Sequence, residues 1–74
     1  MGEKTDYELK AANLLKAELK RKGVTYAGLV EKLAAIGVDE KEANVRNKLS
    51  RGKFTAAFLL QCLSSIGTEN LRID

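Results

Sequence analysis

The 74-residue chain contains no histidine, no proline and no tryptophan, and only one cysteine. Without histidine, the usual acid-base group at neutral pH and the commonest metal ligand are missing. A lone thiol can neither close an internal disulfide nor supply a zinc spacing. Ser50, Ser64 and Ser65 have no imidazole to activate them, and the carboxylates fall on capping positions or polar helix faces. The expectation is a protein that is not an enzyme and holds no metal or cofactor. Two Tyr and two Phe, not interleaved with the basic residues, are poor material for recognising RNA by base stacking. Tyr7 and Tyr26 read instead as packing residues with a wet hydroxyl. The longest apolar run, Ala56 to Leu60, is far short of the roughly 20 residues needed to span a bilayer. The polar N-terminal stretch lacks the apolar centre of a signal peptide, so a cytoplasmic location is expected. Attachment to a membrane surface through the lysines of the first helix is opposed by Glu8 and Glu18 on its polar face.

What remains is a chain rich in Ala, Leu, Lys and Glu, all helix formers, which points to an all-α fold. Its length allows one domain spanning residues 1–74, with nearly every segment contributing to a single small core. Thirteen basic residues against ten acidic ones leave a net charge of only +3, so the placement of charge matters more than its total.

Capping signals divide the chain into four helices, at about residues 6–22, 26–36, 40–51 and 56–66. Thr5 and Glu8 form a capping box for the first, whose apolar positions Leu9, Ala12, Leu15 and Leu19 repeat at helical spacing. The second starts at the N-cap Thr25, with Val24 and Leu29 as a hydrophobic staple, and Val30, Leu33, Ala34 and Ile36 on its apolar side. Gly28 within it suggests a close helix contact. Asp39 and Glu42 read as a second capping box, opening a third helix that turns Val45 and Leu49 inward. Thr55 caps the fourth, with Phe54 and Leu59 as staple and Leu59, Cys62, Leu63 and Ile66 as the buried stripe; Cys62 is thereby a buried, inert thiol. Gly23, Gly37, Gly52 and Gly67 end the four helices. The expected core is Leu15, Leu19, Leu29, Leu33, Val45, Leu49, Leu59, Leu63 and Ile66. Residues 68–74 form a tail in which Leu71 and Ile73 flank Arg72. That alternation fits either a short C-terminal strand, paired across a two-fold axis with a second subunit, or a frayed end with Leu71 tucked against the fourth helix.

Between Ala43 and Thr68 there is no acidic residue, and around Val45 and Leu49 cluster Asn44, Arg46, Asn47, Lys48, Arg51 and Lys53. Arg can fork onto guanine, Asn can bond adenine through two atoms, and Lys and Arg neutralise phosphates. The composition therefore suits a helix that reads duplex DNA.

Gly23-Val24-Thr25 followed by Leu29 and Leu33, then a basic helix ending Ser50-Arg51-Gly52-Lys53, resembles the helix-turn-helix of phage-repressor and Cro-type regulators over about residues 15–66. The stretches Lys20 to Tyr26 and Asn44 to Phe54, with Gln61-Cys62-Leu63, are also similar to a group of short bacterial proteins of unknown function. The repressor resemblance implies a compact four-helix domain with a helix-turn-helix, its third helix entering the major groove. Asn44, Asn47, Lys48 and Arg51 are then the base-reading candidates. Lys20, Arg21, Lys22, Thr25, Tyr26, Arg46, Ser50 and Lys53 are the phosphate-contacting ones. Two departures matter. Tyr26 stands where the family usually has Gln, and its phenol can still donate to phosphate. From Leu29 to Gly52 the chain is several residues longer than the usual motif, which brings Asp39, Glu40 and Glu42 to the end that normally enters the groove, where acidic groups repel phosphate.

The expectation is thus a small sequence-specific transcriptional regulator that binds duplex DNA as a homodimer, with residues 70–74 as a route to pairing. The alternative is a helical protein-interaction module whose basic face docks an acidic partner or merely solubilises the domain.

Overall fold

A computed structural model describes residues 6–73, and among them there are four helices and no strand: α1 (Asp6–Lys22), α2 (Tyr26–Ala35), α3 (Glu42–Arg51) and α4 (Ala56–Ser65). α1 and α2 each pack against both α3 and α4, whereas α3 and α4 do not run alongside one another. The radius of gyration is 11.7 Å, close to the roughly 11 Å of a folded chain this long. No helix among the described residues is long and apolar enough to cross a membrane.

The threonine caps expected from sequence are present. Thr25 Oγ1 accepts the Gly28 amide and Thr55 Oγ1 accepts the Phe58 amide, each at 3.0 Å. The capping box at Thr5 lies partly outside the described residues. Gly28 lies against its own helix cap, since a Cβ there would sit 3.3 Å from Thr25 Oγ1, and so marks no helix-helix contact. Three helices close with the same device: Val24 donates to the Leu19 carbonyl, Val38 to Leu33 and Thr68 to Leu63. In each case the accepting residue is a buried leucine, so the bond that ends the helix also folds the following residue onto the core.

The start of α3 differs from expectation. Its N-cap is the extended Lys41, and no side chain bonds the first-turn amides. Asp39 therefore lies two residues before the cap instead of occupying it, and Glu42 is the first helical residue, with its carboxylate accepting from Arg46 at 2.7 Å. The expected Asp39–Glu42 capping box does not form, and α3 begins at 42, not 40. Ile36 and Ile66 are C-caps, so α2 and α4 each end one residue earlier than expected.

The core consists of Ala12, Leu15, Leu19, Leu29, Leu33, Val45, Leu49, Phe58, Cys62, Leu63 and Ile66. Leu59, expected in it, is only half-buried at its edge, and Phe58 takes the central place. The buried stripe of α4 is centred on 58, 62 and 66, a four-residue repeat. Phe58 also pairs with Phe54, ring centroids 5.6 Å apart. Leu9 and Ile36 lie outside the core, 40% and 48% exposed, and Ala34 is also exposed, because the apolar stripe of each helix is narrower than its run of apolar residues. In the tail, Leu71 packs against the core edge while Ile73 is exposed, and residues 68–73 form no strand.

Candidate nucleic-acid interface

α3 is held from two sides by its buried pair Val45 and Leu49. At about 100° per residue, Asn47 lies diametrically opposite the seam between them, with Ala43 and Arg51 one turn to either side and Asn44 and Ser50 flanking. All five are exposed. Asn44, Asn47 and Arg51 make no side-chain hydrogen bond or ion pair with other described residues, so their donors and acceptors face solvent. Ala43 belongs to this face as well. Reading for polar residues overlooks it, but its place four residues before Asn47 is a signal: a methyl group there lets a surface approach closely.

Lys48 and Arg46 stand differently, each about 80° from the buried seam on opposite flanks. Lys48 Nζ lies 2.5 Å from Glu40 Oε2 and 4.4 Å from the centre of the Phe58 ring. It is half-buried against α4 and not on the outward face expected for it. Arg46 is paired with Glu42. These pairs also answer the acidic charge ahead of α3. Glu40 folds back onto Lys48 with a side chain only 12% exposed, and Glu42 is matched by Arg46, which leaves Asp39 as the unmatched exposed carboxylate of the connection. The six-residue connection 36–41 is thus clasped to α3 by the Glu40–Lys48–Phe58 contact.

The C-terminal end of α3 is docked on the first turn of α1. Gly52, at φ 70, approaches Glu8 so closely that a Cβ would lie 2.9 Å from the Glu8 carbonyl oxygen. Lys53 Nζ is 4.0 Å from the Glu8 carboxylate. Arg51, Ser50 and Lys53 are therefore fixed near the start of α1, while Lys20, Arg21 and Lys22 lie at its other end, about 18 Å further along at 1.5 Å per residue. The structure does not bring the two basic groups into one patch.

Near the second group there is a concave surface. A shallow groove of about 280 Å³ at the start of α2 is lined by Lys16, Leu19, Lys20, Val24, Thr25 and Tyr26. It gathers three of the expected phosphate-contacting residues, Lys20, Thr25 and Tyr26, at the positive pole of a helix. Lys16 was not among the expected residues. Its signal was the four-residue spacing to Lys20, which puts both ammonium groups on one face. Arg21 is committed elsewhere: its guanidinium forks onto Glu18, Nη2 to Oε1 at 2.7 Å and Nε to Oε2 at 3.2 Å. Thr68 Oγ1 also donates to Glu18 Oε1 at 2.9 Å, tying the end of α4 to α1. The Arg21 hydrogen bonds first, and that of Thr68 second, hold the Glu18 carboxyl below its ordinary range. The same contact raises the pKa of Arg21. Lys22 is exposed, its Nζ near Gly67. Cys62 is fully buried, and desolvation, reinforced by Glu40 and partly offset by Lys48, pushes its thiol up to about 12.

Residues 7–71 match the model of a family described as a domain of unknown function, DUF6471, and the chain belongs to that family. No curated protein and no solved structure matches the chain.

Proposed function

We propose that this DUF6471 domain binds duplex DNA sequence-specifically as a small transcriptional regulator, with the outward face of α3 in the major groove. The observation that carries the reading is the Ala43–Asn47–Arg51 line with Asn44 beside it. It is a solvent-facing helix surface whose amide and guanidinium groups are uncommitted within the described fold, and whose chemistry matches adenine and guanine edges. Asn44, Asn47 and Arg51 read bases. Ser50, Arg46 and Lys53 flank them toward one phosphate strand. The groove of Lys16, Lys20, Thr25 and Tyr26, with Lys22 beyond it, serves as a second phosphate contact. The separation of about 18 Å between the two basic groups exceeds the roughly 12 Å width of the major groove, as contacts to both flanking backbones require. Lys48 acts mainly by holding the 36–41 connection and so supports the reading face from behind. The longer connection of this helix-turn-helix-like unit is accommodated because Glu40 and Glu42 are matched by Lys48 and Arg46.

Fluorescence anisotropy on random duplex at a series of salt concentrations tests the phosphate contacts. Lys53→Ala and Lys20→Ala should each weaken binding to all sequences and lower the slope of log affinity against log salt by about 0.9. Salt-insensitive binding, or none, would move the assignment to a protein-interaction module.

A further inference from the structure

The three side chains on the outward line of α3 differ in kind. Ala43 offers only a methyl group, Asn47 an amide that both donates and accepts, and Arg51 a fork of donors. All three are exposed, and the amide and the guanidinium have no side-chain partner among the described residues. Their neighbours on the helix do not share this position. Asn44 and Ser50 stand about 60° off the outward direction, Arg46 is paired with Glu42, and Lys48 is paired with Glu40. An order of chemistry therefore runs along α3 from its N-terminal to its C-terminal end: apolar, amide, guanidinium.

Each step of that order rises about 6 Å along the helix, at 1.5 Å per residue, whereas a base pair of B-DNA rises about 3.4 Å. One step therefore reaches across about two base pairs at most, and any tilt of the helix in the groove shortens it. In the major groove each of the three groups has one best complement: the thymine methyl for Ala43, the N6 and N7 edge of adenine for Asn47, and the O6 and N7 edge of guanine for Arg51. We propose that α3 recognises a duplex element in which thymine, adenine and guanine follow one another along the major groove, read by Ala43, Asn47 and Arg51 in that order, each within about two base pairs of the next. The adenine is central because Asn47 faces straight outward. The order holds along the groove, and either strand can carry each base, since the groove presents both edges of every pair. The inference rests on the DNA-binding reading above and adds to it which bases are read, in what order, and by which residue.

Selection from a random duplex pool with the full chain gives the element, and base analogues placed in the selected duplex then assign each contact. Replacing the thymine by deoxyuridine removes the methyl group alone and should weaken binding about fourfold. Deaza analogues of the adenine and the guanine put carbon in place of the acceptor nitrogen of the groove edge, and each should weaken binding by the parent on the order of tenfold. The adenine effect should vanish in Asn47→Ala and persist in Arg51→Ala, and the guanine effect should do the reverse. Both positions are exposed, so circular dichroism should find both variants folded. A selected element that lacks this order, a deoxyuridine duplex bound as tightly as its parent, or deaza effects that survive in their matching variants would overturn this inference while leaving sequence-specific binding standing. A parent that selects no duplex would remove both.

Discussion

Replacing Gly52 by alanine probes the contact that fixes the end of α3 on α1. Two separate penalties apply. At φ 70 an L-residue pays roughly 1–2 kcal/mol for the left-handed conformation. A Cβ would in addition lie 2.9 Å from the carbonyl oxygen and 3.1 Å from the carbonyl carbon of Glu8. The obstacle is backbone in the first turn of α1, which cannot swing aside as the tip of a side chain can, and overpacking of this kind adds about 1–3 kcal/mol. Gly23 separates the two terms, because it has nearly the same φ, 69, and nothing within 4 Å of the added atom. Gly23→Ala should therefore show the conformational penalty alone. For a domain of this size about 1 kcal/mol corresponds to 4–8 °C, so Gly52→Ala should melt at least about 4 °C below Gly23→Ala in parallel thermal melts. Equal melting temperatures for the two variants would show that the approach to Glu8 is not a fixed contact, and with it the placement of Arg51 and Lys53 would fail.

Leu49→Ala should cost on the order of 2–5 kcal/mol by leaving a cavity at the one fully buried leucine of α3, a large part of the roughly 4–11 kcal/mol expected for 74 residues; an unchanged denaturant midpoint would contradict the packing. Cys62, with its thiol pushed up to about 12, should react with a thiol reagent near pH 8 only as fast as the protein opens, and prompt labelling of the native protein would refute its burial. Because an unfolded thiol ionises near about pH 8.5, stability should also fall as pH rises from there toward the folded value. Glu18 has the opposite sign: its pKa is lowered on folding, so its contribution is present above its unfolded value of about 4.3 and is lost as pH falls through the folded one. Glu18→Gln should flatten that acid limb, and identical acid unfolding of parent and variant would remove the Arg21–Glu18–Thr68 contact from the account.

The elements legible in the sequence are those set by local chemistry. Thr25 and Thr55 cap their helices, and the glycine stops lie within a residue of where they were read, because a hydroxyl three residues before a free amide and a glycine at positive φ act within one turn. The departures come from contacts between elements. Phe58 displaces Leu59 from the core because the phase of α4 is set by α1 and α2, against which it packs, not by its own apolar run. The Asp39–Glu42 box does not form because the chain stays extended to Lys41, which is the N-cap, and the Glu42 carboxylate accepts from Arg46 four residues on. Most of the outward face of α3 was visible as Asn44, Asn47 and Arg51, since helical spacing from Val45 and Leu49 determines what points outward. The turning of Lys48 toward Phe58 and the gathering of Lys16 with Lys20, Thr25 and Tyr26 required the neighbouring helices to be in place.

The central claim is that the outward face of α3 discriminates between DNA sequences. It is tested most directly by comparing the parent with an Asn47→Ala, Arg51→Ala double variant on a duplex selected from a random pool and on the unselected pool. Neither side chain contributes to the core, so the variant should keep the helical signal of the parent. The parent should prefer the selected duplex, and the variant should lose roughly 1–3 kcal/mol of that preference for each base pair read while retaining salt-sensitive binding to the pool. A folded variant that keeps the full preference of the parent, or a parent from which no duplex can be selected, would contradict the assignment.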